Sequence, residues 1–144
     1  MHDDAMSTDT KTVADLDLND EHITAGVSDT LQEAARRLLT VPGGILIVLD
    51  DNSKVKGVIG YKQLLVAIDK EIDTKTATCG EHMEMDFMQV ELKDSLKSVL
   101  ADIQTRSPQA VVAVDENQEF VGYFSPGDYR EAVQLVDNLK GLNL

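Results

Sequence analysis

Toward the end of this 144-residue chain, the stretch Gly122-Tyr123-Phe124-Ser125-Pro126-Gly127-Asp128 sets a hydroxyl and a carboxylate three residues apart. Ser125 stands where an apolar strand gives way to a helix, and Pro126 suits the first helical position because no N–H is needed there. The positive end of such a helix favours an anion, and a serine hydroxyl adds a donor. Asp128, one turn further on, can accept from both hydroxyls of a ribose. A phosphate and a ribose are then accommodated together. The same spacing also reads as a capping box, with Ser125 capping the helix and the acid three residues later reaching back. Spacing alone leaves both readings open.

The elements that must hold these residues come from a duplication. Shifted by 65 positions, the sequence aligns with itself without a gap, 13–70 against 78–135. Ile45 to Asn52 falls on Ala110 to Asn117, and Gly57 falls on Gly122. Each copy has the same local grammar. A short extended segment (Ile23 to Val27, Met88 to Leu92) precedes a helix with an acidic N-cap, Asp29 or Asp94. The helix buries one stripe: Leu31, Ala34, Ala35 and Leu38, or Leu96, Val99, Leu100 and Ile103. Apolar strands at 45–49 and 55–59, and at 110–114 and 120–124, flank five polar residues, which predicts antiparallel hairpins. A last helix presents Leu64, Leu65, Ile68 and Ile72 in the first copy, and Tyr129, Val133, Val136 and Leu139 in the second. The unit reads β-α-β-β-α, so the fold class is α/β, with two such repeats packed about a pseudo-twofold axis into one compact module. Neither small sheet stays dry alone, and clefts between packed units are favoured ligand sites.

The first copy departs from the second where the chemistry lies. Gly60 takes the place of Ser125, and Gln63 the place of Asp128. A glutamine supplies no charged bidentate acceptor to a ribose diol. That pocket is predicted to be empty or to take something other than a ribonucleotide, leaving one competent site per chain. Cys79 and His82 form a C-x-x-H pair, but structural zinc needs four ligands and Cys79 is the only cysteine. No metal is expected. Met83, Met85 and Met88 read as gap-filling core. No nucleophile is paired with a histidine and an orienting group, and there is no P-loop or metalloprotease motif, so no catalysis is expected.

The 26 acidic residues against 13 basic give a net charge of −13, which argues against nucleic-acid binding. A single cysteine precludes an intrachain disulfide. The N-terminus has neither the basic region nor the apolar run of a signal peptide, and no stretch is long enough to span a bilayer. A cytoplasmic location is the expectation.

The succession of acidic approach, helix start (Asp-Thr-Leu, then Asp-Ser-Leu in the second copy), apolar strand, turn (Asp-Asp-Asn, then Asp-Glu-Asn), glycine-bearing strand and helix, used twice, resembles a tandem pair of cystathionine-β-synthase (CBS) domains, a Bateman module. The segments Val13-Ala14-Asp15-Leu16-Asp17-Leu18 and Cys79-Gly80-Glu81-His82-Met83 resemble the turns leading into each copy. The implied organisation is an acidic disordered tail (1–12), repeat 1 (13–73), a linker (74–81), repeat 2 (82–139) and a C-terminal tail (140–144). The resemblance implies a regulatory module that binds an adenosine-containing nucleotide between the repeats and controls an enzyme, channel or transporter. AMP is favoured, with ADP, ATP and S-adenosylmethionine as the other ligands; no cofactor is required. It also implies a homodimer. The alternative is a dimerisation scaffold with degenerate pockets.

The family pattern of Gly, two residues, Ser or Thr, two residues, Asp falls on Gly122, Ser125 and Asp128. By the same analogy, backbone at Gln109 and Ala110 and the segment around Met88 and Gln89 grip the base, while Tyr123 contributes mainly backbone. Many related sites hold a basic residue where Ala110 stands, and its absence speaks against a multiply charged phosphate. Arg106 and Arg130 are the nearby charges available to offset one, although surface arginines are ordinarily solvated.

Overall fold

The computed structural model describes residues 11–18, 22–41 and 44–142. The chain forms two compact units, one of residues 21–87 and one of residues 1–20 together with 88–144. The first-repeat unit holds β1 (Ile23–Gly26), α1 (Leu31–Leu38), β2 (Leu46–Leu49), β3 (Val55–Ile59), α2 (Tyr61–Asp69) and the short α3 (Cys79–His82). The second-repeat unit holds a 3-10 turn (Val13–Asp15), most of β4 (Phe87–Glu91), then α4 (Leu96–Arg106), β5 (Ala110–Val114), β6 (Phe120–Phe124) and α5 (Pro126–Leu142). Each unit contains one three-stranded sheet, ordered β1-β2-β3 or β4-β5-β6. The helical crossover through α1 lets β1 pair parallel with β2, whereas the tight turn makes β2 and β3 antiparallel. Among the described residues no helix is long and apolar enough to cross a membrane.

From β1 onward the duplication holds to the residue. Leu46 pairs with Ile59, and Val111 with Phe124, the same pair shifted by 65. Both hairpins slip register at the same point, between Val48 and Leu49 and between Ala113 and Val114. In each turn one carboxylate accepts two backbone donors: Asp50 Oδ1 from Asn52 N (2.8 Å) and Lys54 N (3.0 Å), Asp115 Oδ1 from Asn117 N (2.8 Å) and Glu119 N (3.0 Å). The Lys54 and Asn52 amides hold the Asp50 carboxyl below its ordinary range. Ser53 and Gln118, at equivalent turn positions, both take positive φ, 63° and 65°.

Three expectations change. The N-caps are Thr30 and Ser95, which accept from Glu33 N (3.1 Å) and Ser98 N (3.3 Å). Asp29 and Asp94 sit one residue earlier and accept from Gly26 N (2.8 Å) and Glu91 N (2.9 Å), closing the preceding turn. The buried residues of the first-copy helices also differ. In α1 they are Leu31, Ala34 and Leu38, with Ala35 only half-buried. In α2, Ala67 is buried and Leu64 packs against the core, while Leu65 and Ile68 are 64% and 67% exposed.

The third change concerns the approach segments. Val13 N donates to Asp94 O (3.0 Å), Ala14 N to Leu92 O (3.0 Å), and Leu96 N to Lys11 O (3.0 Å). Val13 and Leu16 are buried with Val90, Leu96 and Val111. Reciprocally, Cys79 N donates to Asp29 O (2.7 Å), Gly80 N to Val27 O (2.9 Å), and Leu31 N to Ala77 O (2.9 Å). Cys79 lies in the core with Leu31, Leu46 and Ile59. Each approach segment therefore completes the other repeat, and the divisions 13–73 and 82–139 do not follow the packing. Val13 is the counterpart of Cys79, a shift of 66, so the gapless register fails by one residue ahead of β1 and β4. The expected linker contributes buried Cys79, the expected N-terminal tail contributes Lys11 O, and the helix runs into the expected C-terminal tail as far as Leu142. The rest of the acidic tail, residues 1–10, lies outside the described residues.

Candidate functional site

Ser125 and Asp128 are held by strand-to-helix geometry. β6 ends at Phe124, and α5 begins at Pro126, whose fixed φ suits that position. The two side chains form a complete reciprocal cap. Asp128 N donates to Ser125 Oγ (3.0 Å), while Ser125 N (3.0 Å) and Ser125 Oγ (3.1 Å) both donate to Asp128 Oδ2. Tyr129 N donates to Ser125 O (2.9 Å). Both residues are buried, Asp128 to 3% exposure. The capping reading is thus realised in this structure, and the donors of the first turn are largely consumed by it.

A cavity of about 400 Å³ opens beside this cap. Its walls come from the end of α4 (Ile103, Gln104), the connection Ser107-Pro108-Gln109, the start of β5 (Ala110, Val111), the end of β6 (Tyr123, Phe124, Ser125) and the first turns of α5. The volume lies in the range of small-molecule sites, of which ~300–1,000 Å³ is typical. Ser107 takes left-handed backbone (φ 46°, ψ 56°) as it ends α4 and turns the chain toward β5. Gln104 Nε2 donates to Tyr129 Oη (3.4 Å) across the α4–α5 side.

Of the residues expected at a ligand site, Ser125, Tyr123, Ala110 and Gln109 line the cavity. Asp128 does not reach its wall in this structure and lies behind Ser125. Gly122 faces elsewhere: a Cβ there would stand 2.8 Å from Leu18 Cβ. Strand alternation removes the other two. Met88 points into the core at 4% exposure, and Gln89 points out, its Nε2 donating to Gln118 Oε1 (3.0 Å). Of the two arginines, Arg130 lines the cavity and Arg106 does not. The residues not foreseen are Ile103, Gln104, Ser107 and Tyr129. The helix stop at Ser107-Pro108 was a usable signal, since a chain turning from helix end to strand start must border the strand-to-helix turn beside it.

In the first-repeat unit half of the cap survives. Gln63 Oε1 accepts from Gly60 N (2.8 Å), as Asp128 accepts from Ser125 N, but no hydroxyl answers it. A smaller cavity of about 200 Å³ lies beside Lys62, Gln63, His82 and Glu84. Cys79, at the other end of the C-x-x-H pair, is fully buried; desolvation pushes its thiol up to about 11, far from the thiolate that a metal requires. Among the described residues no group of three or more His, Cys, Asp or Glu is placed to hold a metal ion.

Residues 13–70 match the family model described as CBS domain. No curated protein sequence matches the chain. Among solved structures, a protein described as an acetoin utilization protein (AcuB) from Vibrio cholerae is 21% identical with a TM-score of 0.72, over 93% of this chain and 96% of that one. A CBS domain pair/ACT domain protein from Thermotoga maritima is 21% identical with a TM-score of 0.67, over 85% and 96%. The CBS domains of a transcriptional regulator from Streptococcus pneumoniae are 18% identical with a TM-score of 0.66, over 85% and 99%. At these identities the likeness is one of fold. The family model falls on the copy without the Ser–Asp pair, so the match and the candidate cavity lie in different repeats.

Proposed function

As a chain that carries a CBS domain over residues 13–70 and has the fold of CBS-domain pairs, this protein is, we propose, a regulatory module that binds an adenosine-containing nucleotide and passes its occupancy to a partner. The observation that carries the reading is the 400 Å³ cavity beside Ser125. It combines aromatic and aliphatic walls for a base, backbone at Gln109 and Ala110 for its edge, and a helix start for a phosphate. Ribose would compete with Ser125 for the Asp128 carboxylate. A ligand shifts a regulatory balance only by binding one arrangement better, so the partner must distinguish the two.

Thermal unfolding with AMP, ATP and S-adenosylmethionine tests it. A true ligand at a hundred times its dissociation constant adds about 2.7 kcal/mol. Asp128→Asn keeps an acceptor for Ser125 N and loses the bidentate one for a ribose, so affinity is expected to fall about tenfold. No stabilisation by any of the three favours the other reading, a scaffold without ligand, which draws support from Asp128 being engaged in the cap.

Homodimerisation belongs to the same proposal. Tyr61, Leu65 and Ile68 recur at helical spacing on α2 and are all exposed. Leu65→Glu puts a charge in the centre of that stripe and is expected to yield monomers in sedimentation velocity, with the unfolding midpoint changed little. An unaltered sedimentation coefficient would remove this face from consideration.

A further inference from the structure

The second-repeat cavity and the approach segment of residues 11–18 share side chains. Val111 and Phe124 line the cavity and also belong to the buried cluster that Val13 and Leu16 complete. Ile103 and Tyr129, two more lining residues, pack against the same cluster. Leu18 stands over Gly122, directly before Tyr123 of the cavity wall. Interiors are close-packed, so losing the segment would leave those wall residues without partners on their inner side.

The described attachment of the segment is short. Its backbone bonds are those of Val13 N, Ala14 N and Lys11 O to the turn that enters α4. Its buried side chains are Val13 and Leu16, with Leu18 partly buried. Asp15 and Asp17 outweigh Lys11 within it, and acidic residues outnumber basic ones in 88–144 as well. Net charge therefore does not draw the two together. An element held by few buried apolar contacts opens at a lower free energy than the whole fold.

We infer that residues 11–18 form a detachable strap coupled to the cavity: docked, the strap keeps the wall at Val111 and Phe124 firm, and released, it lets that wall loosen and affinity fall. Coupling of this kind is reciprocal. A ligand that fills the cavity holds the strap by the same factor by which the docked strap raises the ligand's affinity. The strap is then the part of the chain whose state reports occupancy. The coupling of strap to ligand rests on the regulatory reading above, whereas the coupling of strap to wall does not.

Labelling of the full chain with a bulky aromatic disulfide reagent tests strap and wall without a ligand. The native Cys79 is fully buried and its thiol is pushed up to about 11, so an introduced cysteine reports alone. Val111→Cys puts a buried thiol in the shared wall. Val112→Cys puts one on the opposite face of β5, at a position that is also fully buried. V111C is expected to react about tenfold or more faster than V112C, with a weaker urea dependence, because only the strap has to leave. Val13→Ala should speed the labelling of V111C about tenfold by deleting buried methyl groups. Ala14→Ser, at an exposed position of the same turn, should leave it unchanged. Equal rates and equal urea dependence for the two thiols would mean that the strap leaves only when the whole unit unfolds. A V111C rate indifferent to Val13→Ala would mean that the wall opens without the strap. Either result overturns the inference. With AMP as the probe, amide exchange at Val13 and Ala14 should slow as the unfolding midpoint rises. A raised midpoint without that slowing overturns the coupling to occupancy and leaves the nucleotide reading in place. No stabilisation by AMP counts against the nucleotide reading, and the thiol rates then decide the strap by themselves.

Discussion

Val13→Asp is expected to destabilise the second-repeat unit strongly, although Val13 lies more than seventy residues ahead of the elements that it supports. Its side chain is 0% exposed and packs with Met88, Val90 and Leu96. The core cluster around it is apolar, so a carboxylate there would be buried without a partner. Leaving a charge in that state costs roughly 3–5 kcal/mol, against a total stability of about 5–15 kcal/mol for a domain. Ala14→Asp is the control, since Ala14 is exposed on the same 3-10 turn. Hydrogen exchange should show β4, β5 and β6 losing protection in V13D and keeping it in A14D. Equal protection in the two variants would mean that the N-terminal segment only rests on the second repeat and does not complete its core.

That dependence was hidden in the sequence for a physical reason. Hairpins, crossover helices and turns are local, and their grammar could be read twice over: Asp50 and Asp115 close identical turns, and both sheets slip register at equivalent residues. Which body an approach segment joins is a long-range choice that periodicity does not encode. A one-residue difference between the copies is also invisible to an alignment anchored on the strands. The displaced caps have a local cause. In Asp29-Thr30 and Asp94-Ser95 both residues are able to cap, and the hydroxyl takes the role because the acid is already closing the turn before it. On α2, the positions 61, 65 and 68 and the positions 64 and 67 each form an apolar stripe, and only packing shows that the second faces inward.

The cavity was partly legible. Ser125, Tyr123, Gln109 and Ala110 belong to it because the strand-to-helix turn and the start of β5 are neighbours across an antiparallel pair, as Val111 opposite Phe124 shows. Met88 and Gln89 do not line the cavity: extended residues alternate faces, and neither face of β4 at these positions borders it.

The glycines at equivalent positions 57 and 122 lead to the second large effect. Both lie in strands that an approach segment crosses closely, but the crossing atoms differ. A Cβ on Gly57 would stand 2.6 Å from Met83 Cγ and Sδ, and 3.0 Å from Glu84 O. A Cβ on Gly122 would stand 2.8 Å from Leu18 Cβ and 3.2 Å from Leu18 O. Methionine's far end can swing aside, whereas a Cβ is fixed to the backbone and moves only with it. Gly122→Ala is therefore expected to cost about 3 kcal/mol and Gly57→Ala about 1 kcal/mol, the upper and lower ends of the overpacking range. Double-mutant cycles separate the two causes. Met83→Ala removes the clashing atoms, so G57A and M83A together should be more stable than their sum by about 1 kcal/mol. Leu18→Ala leaves its Cβ in place and should give no such rescue of G122A. Denaturant unfolding of the six variants measures both couplings. A rescue of G122A by L18A as large as that of G57A by M83A would show that Leu18 yields through its side chain, and that the crossing over β6 is looser than its backbone contacts require.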